Sequence, residues 1–248
     1  MINIQKFSRY EFKYILNKKK SDLIETECKY FMKFDENIDK KLDNRYFVRS
    51  LYFDNKFSTN FYEKVDGMKS RKKYRLRTYS KISNNKNDIY LEMKGRANQR
   101  TYKARTKVEP EYLKFFYNQK NYSGLFDIYG KKNEVINNFV FDGFKKDIYP
   151  RVLIDYKRRP YINKTGLNFR LTFDSNILST KNNKLFDNNN LLSWEECRSG
   201  YTILEVKFER SITPWFHRII QNYNLERLSI SKFVLGMQQS NLATDTSL

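Results

Sequence analysis

Arg71-Lys72-Lys73-Tyr74-Arg75-Leu76-Arg77-Thr78-Tyr79 is the stretch on which the reading of the fold turns. Successive side chains of a strand point to opposite faces. Arg71, Lys73, Arg75 and Arg77 therefore share one face, and Tyr74, Leu76 and Thr78 share the other. A strand at the surface of an ordinary sheet would bury the apolar face and leave the charged one in water. Other segments repeat the pattern but mix acids into it. Arg9, Glu11 and Lys13 share a face, as do Tyr90, Glu92 and Lys94, with Leu91 and Met93 opposite. Ile203, Glu205, Lys207 and Glu209 alternate with Leu204, Val206 and Phe208, so both faces of that segment have a claim to burial. Apolar residues outward and Lys, Arg and Glu inward is what a barrel with a polar lumen requires.

Outward from that stretch, alternation at a period of two recurs in Arg9 to Ile15, Arg45 to Asp54, Ile89 to Lys94, Tyr102 to Val108, Arg151 to Arg158, Leu167 to Asp174 and Tyr201 to Glu209. With Arg71 to Tyr79 these make eight segments, enough for an antiparallel sheet to close on itself. Helices punctuate them. Asn17 to Phe31 sets Leu23, Ile24, Cys28 and Phe31 at helical spacing. Pro110 to Gln119 opens with a first-turn proline, Glu134 to Phe141 is a third helix, and Thr213-Pro214 starts a fourth running through His217 to Tyr223. Lys181 to Asn190 reads as an exposed loop. The expected fold is α+β: a closed, eight-stranded antiparallel barrel with a basic lumen, flanked by helices. It forms one domain over residues 1–240, followed by a polar, frayed tail over 241–248.

The bulk numbers agree. The chain has 248 residues, within reach of one β-rich domain. Hydrophobic residues form 40% of it, enough for a core. No run of apolar residues is long enough for a membrane-spanning helix, and MINIQKFSRYEFKY lacks the apolar region of a secretory signal. Two cysteines, Cys28 and Cys197, and one histidine, His217, leave no zinc site and no disulfide framework. The expectation is a cytoplasmic protein, or one peripheral to the inner face of a membrane. His217 is read as structural. The formal net charge is +20, from 48 Lys plus Arg against 28 Asp plus Glu. An AT-rich genome inflates Lys, Asn, Ile and Tyr, but it does not place arginines on alternate strand positions. Such an excess repels itself within a compact domain and points to a polyanionic partner.

Arginine presents a rigid fork of donors matched to phosphate oxygens, and lysine a compact point charge. Several along one lumen suit a chain of phosphates. The few carboxylates among them are then oxygen ligands for Mg²⁺ or Mn²⁺, whose shell the substrate phosphates complete.

The order of motifs is more specific. Arg9-Tyr10-Glu11-Phe12-Lys13-Tyr14, Ser50-Leu51-Tyr52-Phe53-Asp54, Tyr62-Glu63-Lys64-Val65-Asp66-Gly67 with Lys73-Tyr74-Arg75-Leu76-Arg77-Thr78-Tyr79, and Leu91-Glu92-Met93-Lys94 follow one another. Tyr156-Lys157-Arg158, Phe169-Arg170-Leu171-Thr172-Phe173-Asp174, Leu204-Glu205-Val206-Lys207 and Ser231-Lys232-Phe233-Val234-Leu235-Gly236 complete the series. In this order they resemble the bacterial VTC domains, the catalytic domain of the vacuolar transporter chaperone polyphosphate polymerase, among the triphosphate tunnel metalloenzymes. The resemblance implies transfer of the ATP γ-phosphate onto polyphosphate inside a closed tunnel. It implies catalytic roles for Lys13, Arg75, Arg77 and Lys94. Lys64, Lys73, Arg158, Arg170, Lys207 and Lys232 would bind substrate, Glu205 would hold the metal, and Glu11 and Glu92 are further metal candidates. Ser229 stands where the family often has another lysine, and Arg9 replaces the first glutamate of the wider superfamily's motif.

Three rivals stay open on these residues: a triphosphatase of the same fold, a non-catalytic sensor of polyphosphate or inositol phosphates, and a single-stranded nucleic-acid binder. The last would interleave cations with exposed aromatics. The inward Glu11, Glu92, Glu205 and Glu209 argue against it, and no nucleic-acid partner is expected. ATP and polyphosphate are the expected partners, with room for a separate membrane protein.

Overall fold

The computed structural model describes residues 10–36, 38–84, 88–98, 100–130, 132–187 and 192–245. The strands are β1 (Tyr10–Asn17), β2 (Met32–Phe34), β3 (Tyr46–Asp54), β4 (Ser70–Thr78) and β5 (Ile89–Ala97), then β6 (Arg100–Val108), β7 (Tyr149–Asn163), β8 (Phe169–Lys181), β9 (Glu195–Glu196) and β10 (Tyr201–Phe208). The helices are α1 (Lys18–Phe31), α2 (Thr59–Val65), α3 (Leu113–Phe116), α4 (Gly124–Tyr129), α5 (Glu134–Lys146), α6 (Pro214–Asn222) and α7 (Lys232–Gln239). Every segment expected to be a strand is one, although Arg9 lies outside the described residues. The short strands β2 and β9 are additions that pair with β7 and β8.

The long strands form one antiparallel sheet in the order β1-β10-β8-β7-β3-β4-β5-β6. Among the described residues its edge strands, β1 and β6, share no ladder, so the sheet expected to form a closed barrel is not closed by hydrogen bonds. The sheet curls instead, until Lys94 of β5 comes within 3.5 Å of Glu11 on β1. Residues 228–231 cross from β1 to β4 and α2. Leu228 donates its N–H to the Lys13 carbonyl (2.9 Å), and the Lys13 ammonium donates to the Ile230 carbonyl (3.1 Å). Lys73 donates to Ser231 Oγ (3.3 Å) and Lys64 to Ser229 Oγ (2.9 Å).

The two faces of the sheet separate as the alternation demands. On the outside, Leu51, Tyr74, Leu76, Leu91 and Met93 pack under Ile136, Phe139 and Val140 of α5. Beyond them, Tyr14, Leu16, Leu171, Leu204 and Val206 pack under Ile24 and Cys28 of α1 and Phe216 and Ile219 of α6. Burying these side chains removes several hundred square ångströms of apolar surface from water at about 25 cal/mol per Å², and so covers the outer face. In α1 the buried side chains are Ser21, Ile24, Glu25 and Cys28. Leu23 and Phe31, expected on that face, are largely exposed, and Phe31 stacks on Trp215 at 4.6 Å. Asn17 caps α1 by accepting from Lys20 N–H.

One apolar layer lies on the inside. Val48, Tyr52, Val152, Ile154 and Tyr156, on the lumen face of β3 and β7, pack against Phe233 and Met237 of α7. This helix fills part of the lumen, and Gly236 permits its approach. A Cβ there would lie 2.4 Å from Ile154 Cδ1. The expected frayed tail is anchored over its described part: Ser58 donates to the Leu242 carbonyl (3.1 Å), and Ala243 is buried in this inner layer. Residues 246–248 lie outside the described residues. The loop expected over 181–190 carries one fully buried residue, Leu185; residues 188–190 of it are not described. Cys28 and Cys197 are free and buried. Among the described residues no helix is long and apolar enough to cross a membrane.

Candidate active site

Register decides which side chains meet. Antiparallel pairing sets Lys13 opposite Glu205, Arg75 opposite both Tyr52 and Glu92, and Arg158 opposite Asp174. Directly opposed residues share a face, so the charges that alternate along each strand converge across the sheet. They line a cavity of about 300 Å³ bounded by β1, β3, β4, β5, β6, β7, β10, α2 and the start of α7. Thirteen lysines and arginines and three glutamates line it, a balance that an empty lumen holds only at the cost of mutual repulsion.

Of the residues singled out in the sequence, Glu11, Lys13, Lys64, Lys73, Arg75, Arg77, Glu92, Lys94, Arg158, Glu205, Lys207 and Lys232 all line this cavity. Arg170 does not. It faces the same interior opposite Lys207, but its guanidinium is 2.7 Å from Asp35, outside the cavity. His217 is exposed on α6, away from the site. Arg71, placed on the charged face by alternation but given no role, lines the cavity, as do Lys72, Arg96 and Lys103, which were not singled out; strand alternation was the signal that could have placed Arg96 and Lys103 there.

The carboxylates organise the cations. Glu92 is 97% buried at its side chain and accepts from Arg75 at 2.5 and 2.8 Å through Oε2, while Lys103 lies 2.9 Å from Oε1. Both Glu92 oxygens hold cations, so in this arrangement Glu92 positions Arg75 and Lys103. Arg75 also donates to the Tyr52 hydroxyl (2.8 Å), and Arg77 to the Tyr156 hydroxyl (2.6 Å). Asp174, fully buried and not singled out from the sequence, accepts twice from Arg158 (2.6 and 2.7 Å) and lies 2.5 Å from the Lys232 ammonium. It ties β8 to β7 and α7.

Glu205 and Glu11 face one another electrostatically within this field. Burial and the neighbouring Glu205 push the Glu11 carboxyl up, but Lys13, Lys94 and Lys207 outweigh them and hold it at about 2. Burial also raises Glu205, and Lys207, Lys13, Arg158 and Lys232 more than reverse this, so it lies well below the usual carboxylate range. Lys207 sits 2.6 Å from Glu205 Oε1. Both carboxylates are ionised at neutral pH. Among the described residues no group of three or more His, Cys, Asp or Glu forms a complete metal site. One or two carboxylates in a cationic cavity fit Mg²⁺ or Mn²⁺, which can take their remaining oxygens from phosphate and water.

Two of the lysines are instead pushed toward their neutral form. Lys73 sits over the rings of Tyr52 and Phe233. Burial, then the charges of Lys94, Lys13, Arg75 and Lys64, lower its pKa well below the ordinary lysine value. Burial likewise lowers Lys103 to about 8; Glu92 opposes this, and Arg75 and Arg77 add to it. The lumen thus has one region where carboxylates fix the cations and another, toward α2, where cations crowd one another.

The VTC domain family matches the sequence over residues 8–241. No curated protein matches it significantly. Among solved structures, the PH1819 protein of Pyrococcus horikoshii OT3 aligns over 93% of this chain and 98% of its own, at 13% identity and a TM-score of 0.46. The bh2851 protein of Bacillus halodurans, provisionally named an adenylate cyclase, aligns over 89% and 92% at 10% identity and a TM-score of 0.53, a likeness of fold.

Proposed function

The chain belongs to the VTC domain family, and from that premise we propose that it is a polyphosphate polymerase, transferring the γ-phosphate of ATP to a growing polyphosphate chain in the lumen. The observation that carries this reading is the convergence of thirteen cations and three glutamates on one partly enclosed cavity. A linear polyphosphate presents repeated negative charge along a thin chain, which matches cations distributed along a lumen.

Phosphoryl transfer asks little covalent chemistry of a protein; position and charge stabilisation dominate. A terminal phosphate oxygen of the chain attacks the γ-phosphorus. A new P–O bond forms as the bond to the bridging oxygen breaks, and ADP leaves with that electron pair. Arg75, clamped by Glu92 and Tyr52, and Arg77, bonded to Tyr156, are held ready for charge spreading over the transferred group. Lys13 and Lys94, both ion-paired to Glu11, would hold the neighbouring phosphates. A Mg²⁺ or Mn²⁺ ion held by Glu205, with Glu11 beside it, would supply further neutralisation of the phosphate oxygens. No protein nucleophile is required, and the exposed His217 has no part.

The test is incubation with ATP and Mn²⁺ or Mg²⁺, resolving polymer by gel and ADP by phosphorus NMR, for wild type, Glu205→Gln and Arg75→Ala. A ladder of polyphosphate lost in both variants supports the polymerase. Free phosphate without polymer would replace it with a triphosphatase. Tight polyphosphate binding without turnover would leave a sensor.

A further inference from the structure

The turn after β3, α2 and the outer face of α5 form a surface that the lumen chemistry does not use. Asn55 donates to the Lys146 carbonyl (3.0 Å), and the Lys146 ammonium lies 2.6 Å from Glu63 of α2. Met68 N–H donates to the Glu63 carbonyl (3.0 Å). These bonds hold residues 55–68 against the C-terminal end of α5. Four large apolar side chains project from this surface: Phe57 is 70% exposed, Phe141 63%, Phe144 54% and Met68 51%. Phe141 and Phe144 are one turn apart on α5, so they emerge side by side. The partly exposed Tyr62 adds a fourth ring.

The charges among them are mainly basic. Lys56 lies over the Phe57 ring at 4.8 Å and Lys145 over Phe141 at 5.7 Å. Lys120 is brought alongside by the bond from Gln119 to the Gly143 carbonyl (2.8 Å). Lys69 is exposed in the turn after α2. Of the acids, Glu63 is paired with Lys146, and Asp66 and Asp147 are exposed. Exposed phenylalanines ringed by lysines combine the two terms that bind a protein to an anionic bilayer: apolar insertion at the headgroup boundary and attraction to the surface charge. A protein partner's interface would also take the phenylalanines, but the surplus of lysine selects an anionic face.

We propose that this surface docks on an anionic lipid bilayer. Lys64 of α2, next to the docking residues Tyr62 and Met68, lines the cavity, and so does Arg71, which donates to the Met68 carbonyl. Docking therefore sets the α2 side of the cavity toward the membrane, whichever reaction the lumen performs.

The test is flotation of the whole protein with vesicles of phosphatidylcholine, with and without phosphatidylserine, in the presence of excess tripolyphosphate to occupy the lumen cations. Wild type should float with the phosphatidylserine vesicles only. Phe141→Ser/Phe144→Ser, and separately Lys56→Glu/Lys145→Glu, should lower the bound fraction about tenfold. All four positions are solvent-facing, so both variants should keep the wild-type thermal transition. Loss of wild-type flotation on adding tripolyphosphate would assign vesicle binding to the lumen and overturn the proposal. So would equal flotation of the variants, or a wild type that ignores vesicles and instead self-associates through the phenylalanines in light scattering.

Discussion

Asp174 accepts two hydrogen bonds from the Arg158 guanidinium, at 2.6 and 2.7 Å, and the same carboxylate lies 2.5 Å from the Lys232 ammonium. One buried anion thereby holds two lumen cations from two different elements, β7 and α7. Burial raises the Asp174 carboxyl, and Arg158 and Lys232 more than offset that, so it lies below the usual range.

Replacing Asp174 with Asn removes the counter-charge and leaves two buried cations facing each other. Breaking a buried pair costs about 3–5 kcal/mol, so the empty variant should unfold at clearly lower denaturant than wild type. Tripolyphosphate should raise its Tm more than it raises that of wild type, because the ligand supplies the missing negative charge. A variant as stable as wild type without anion would show that Asp174 does not serve as this counter-ion.

Polyanion affinity should depend on pH through the crowded cations. Lys103, lowered to about 8 by burial, is charged below that pH and neutral above it. An added positive charge favours the anion, so tripolyphosphate binding should weaken as pH rises through about 8. Lys103→Arg, charged throughout, should flatten the dependence in calorimetric titrations across that window. An unchanged pH profile in the variant would assign the titration to another group, with Lys73 the next to substitute.

The carboxylates give the opposite sign at low pH. Glu11 lies at about 2 in the folded protein against 4.5 for the free side chain. Its contribution to stability is therefore fully present above about pH 4.5 and is lost as pH falls toward 2. Glu11→Gln should reduce the slope of stability against pH between those limits, read from urea midpoints. An identical slope would show that Glu11 does not carry it.

Arg170 shares the interior face but is turned to Asp35, and its side chain is 42% exposed. Arg170→Ala should leave tripolyphosphate affinity within about twofold of wild type and cost about 0–1 kcal/mol of stability, as for a solvent-screened pair. Arg75→Ala should lower affinity about tenfold or more, the value of one charge-assisted contact. Equal losses in isothermal titration would return Arg170 to the binding surface.

Gly236→Val tests whether α7 must sit deep in the lumen. Its Cβ would meet Ile154 Cδ1 at 2.4 Å and Cγ1 at 2.9 Å, an overpacking worth about 1–3 kcal/mol. Because Lys232 and Ser231 lead into this helix, tripolyphosphate affinity should fall together with Tm. Lost stability with unchanged affinity would mean that the start of α7 holds its place independently.

Much of the lumen was legible because strand alternation is local. Whether Arg75 and Arg77 face one way and Leu76 the other depends only on backbone geometry within a few residues, and both fall where the alternation put them. Asp174 was harder to see. It shares a face of β8 with Arg170 and Thr172, and nothing within that strand tells which member meets Arg158 and which meets Asp35. In α1, helical spacing alone left Leu23 and Ile24 equivalent, and only the position of the sheet turns Ile24 inward.

The sequence by itself determined the eight long strands, their inner and outer faces, and twelve of the side chains that line the cavity, since a period of two and a surplus of inward charge need no knowledge of distant residues. Only the tertiary structure decided how the lumen is completed. Among the described residues β1 and β6 do not pair with each other, residues 228–231 bridge β1 to β4 and α2, and α7 fills part of the interior against Val48, Tyr52 and Ile154. Each of these depends on residues far apart in the sequence, and their choice among the available apolar and polar partners is made by packing in three dimensions.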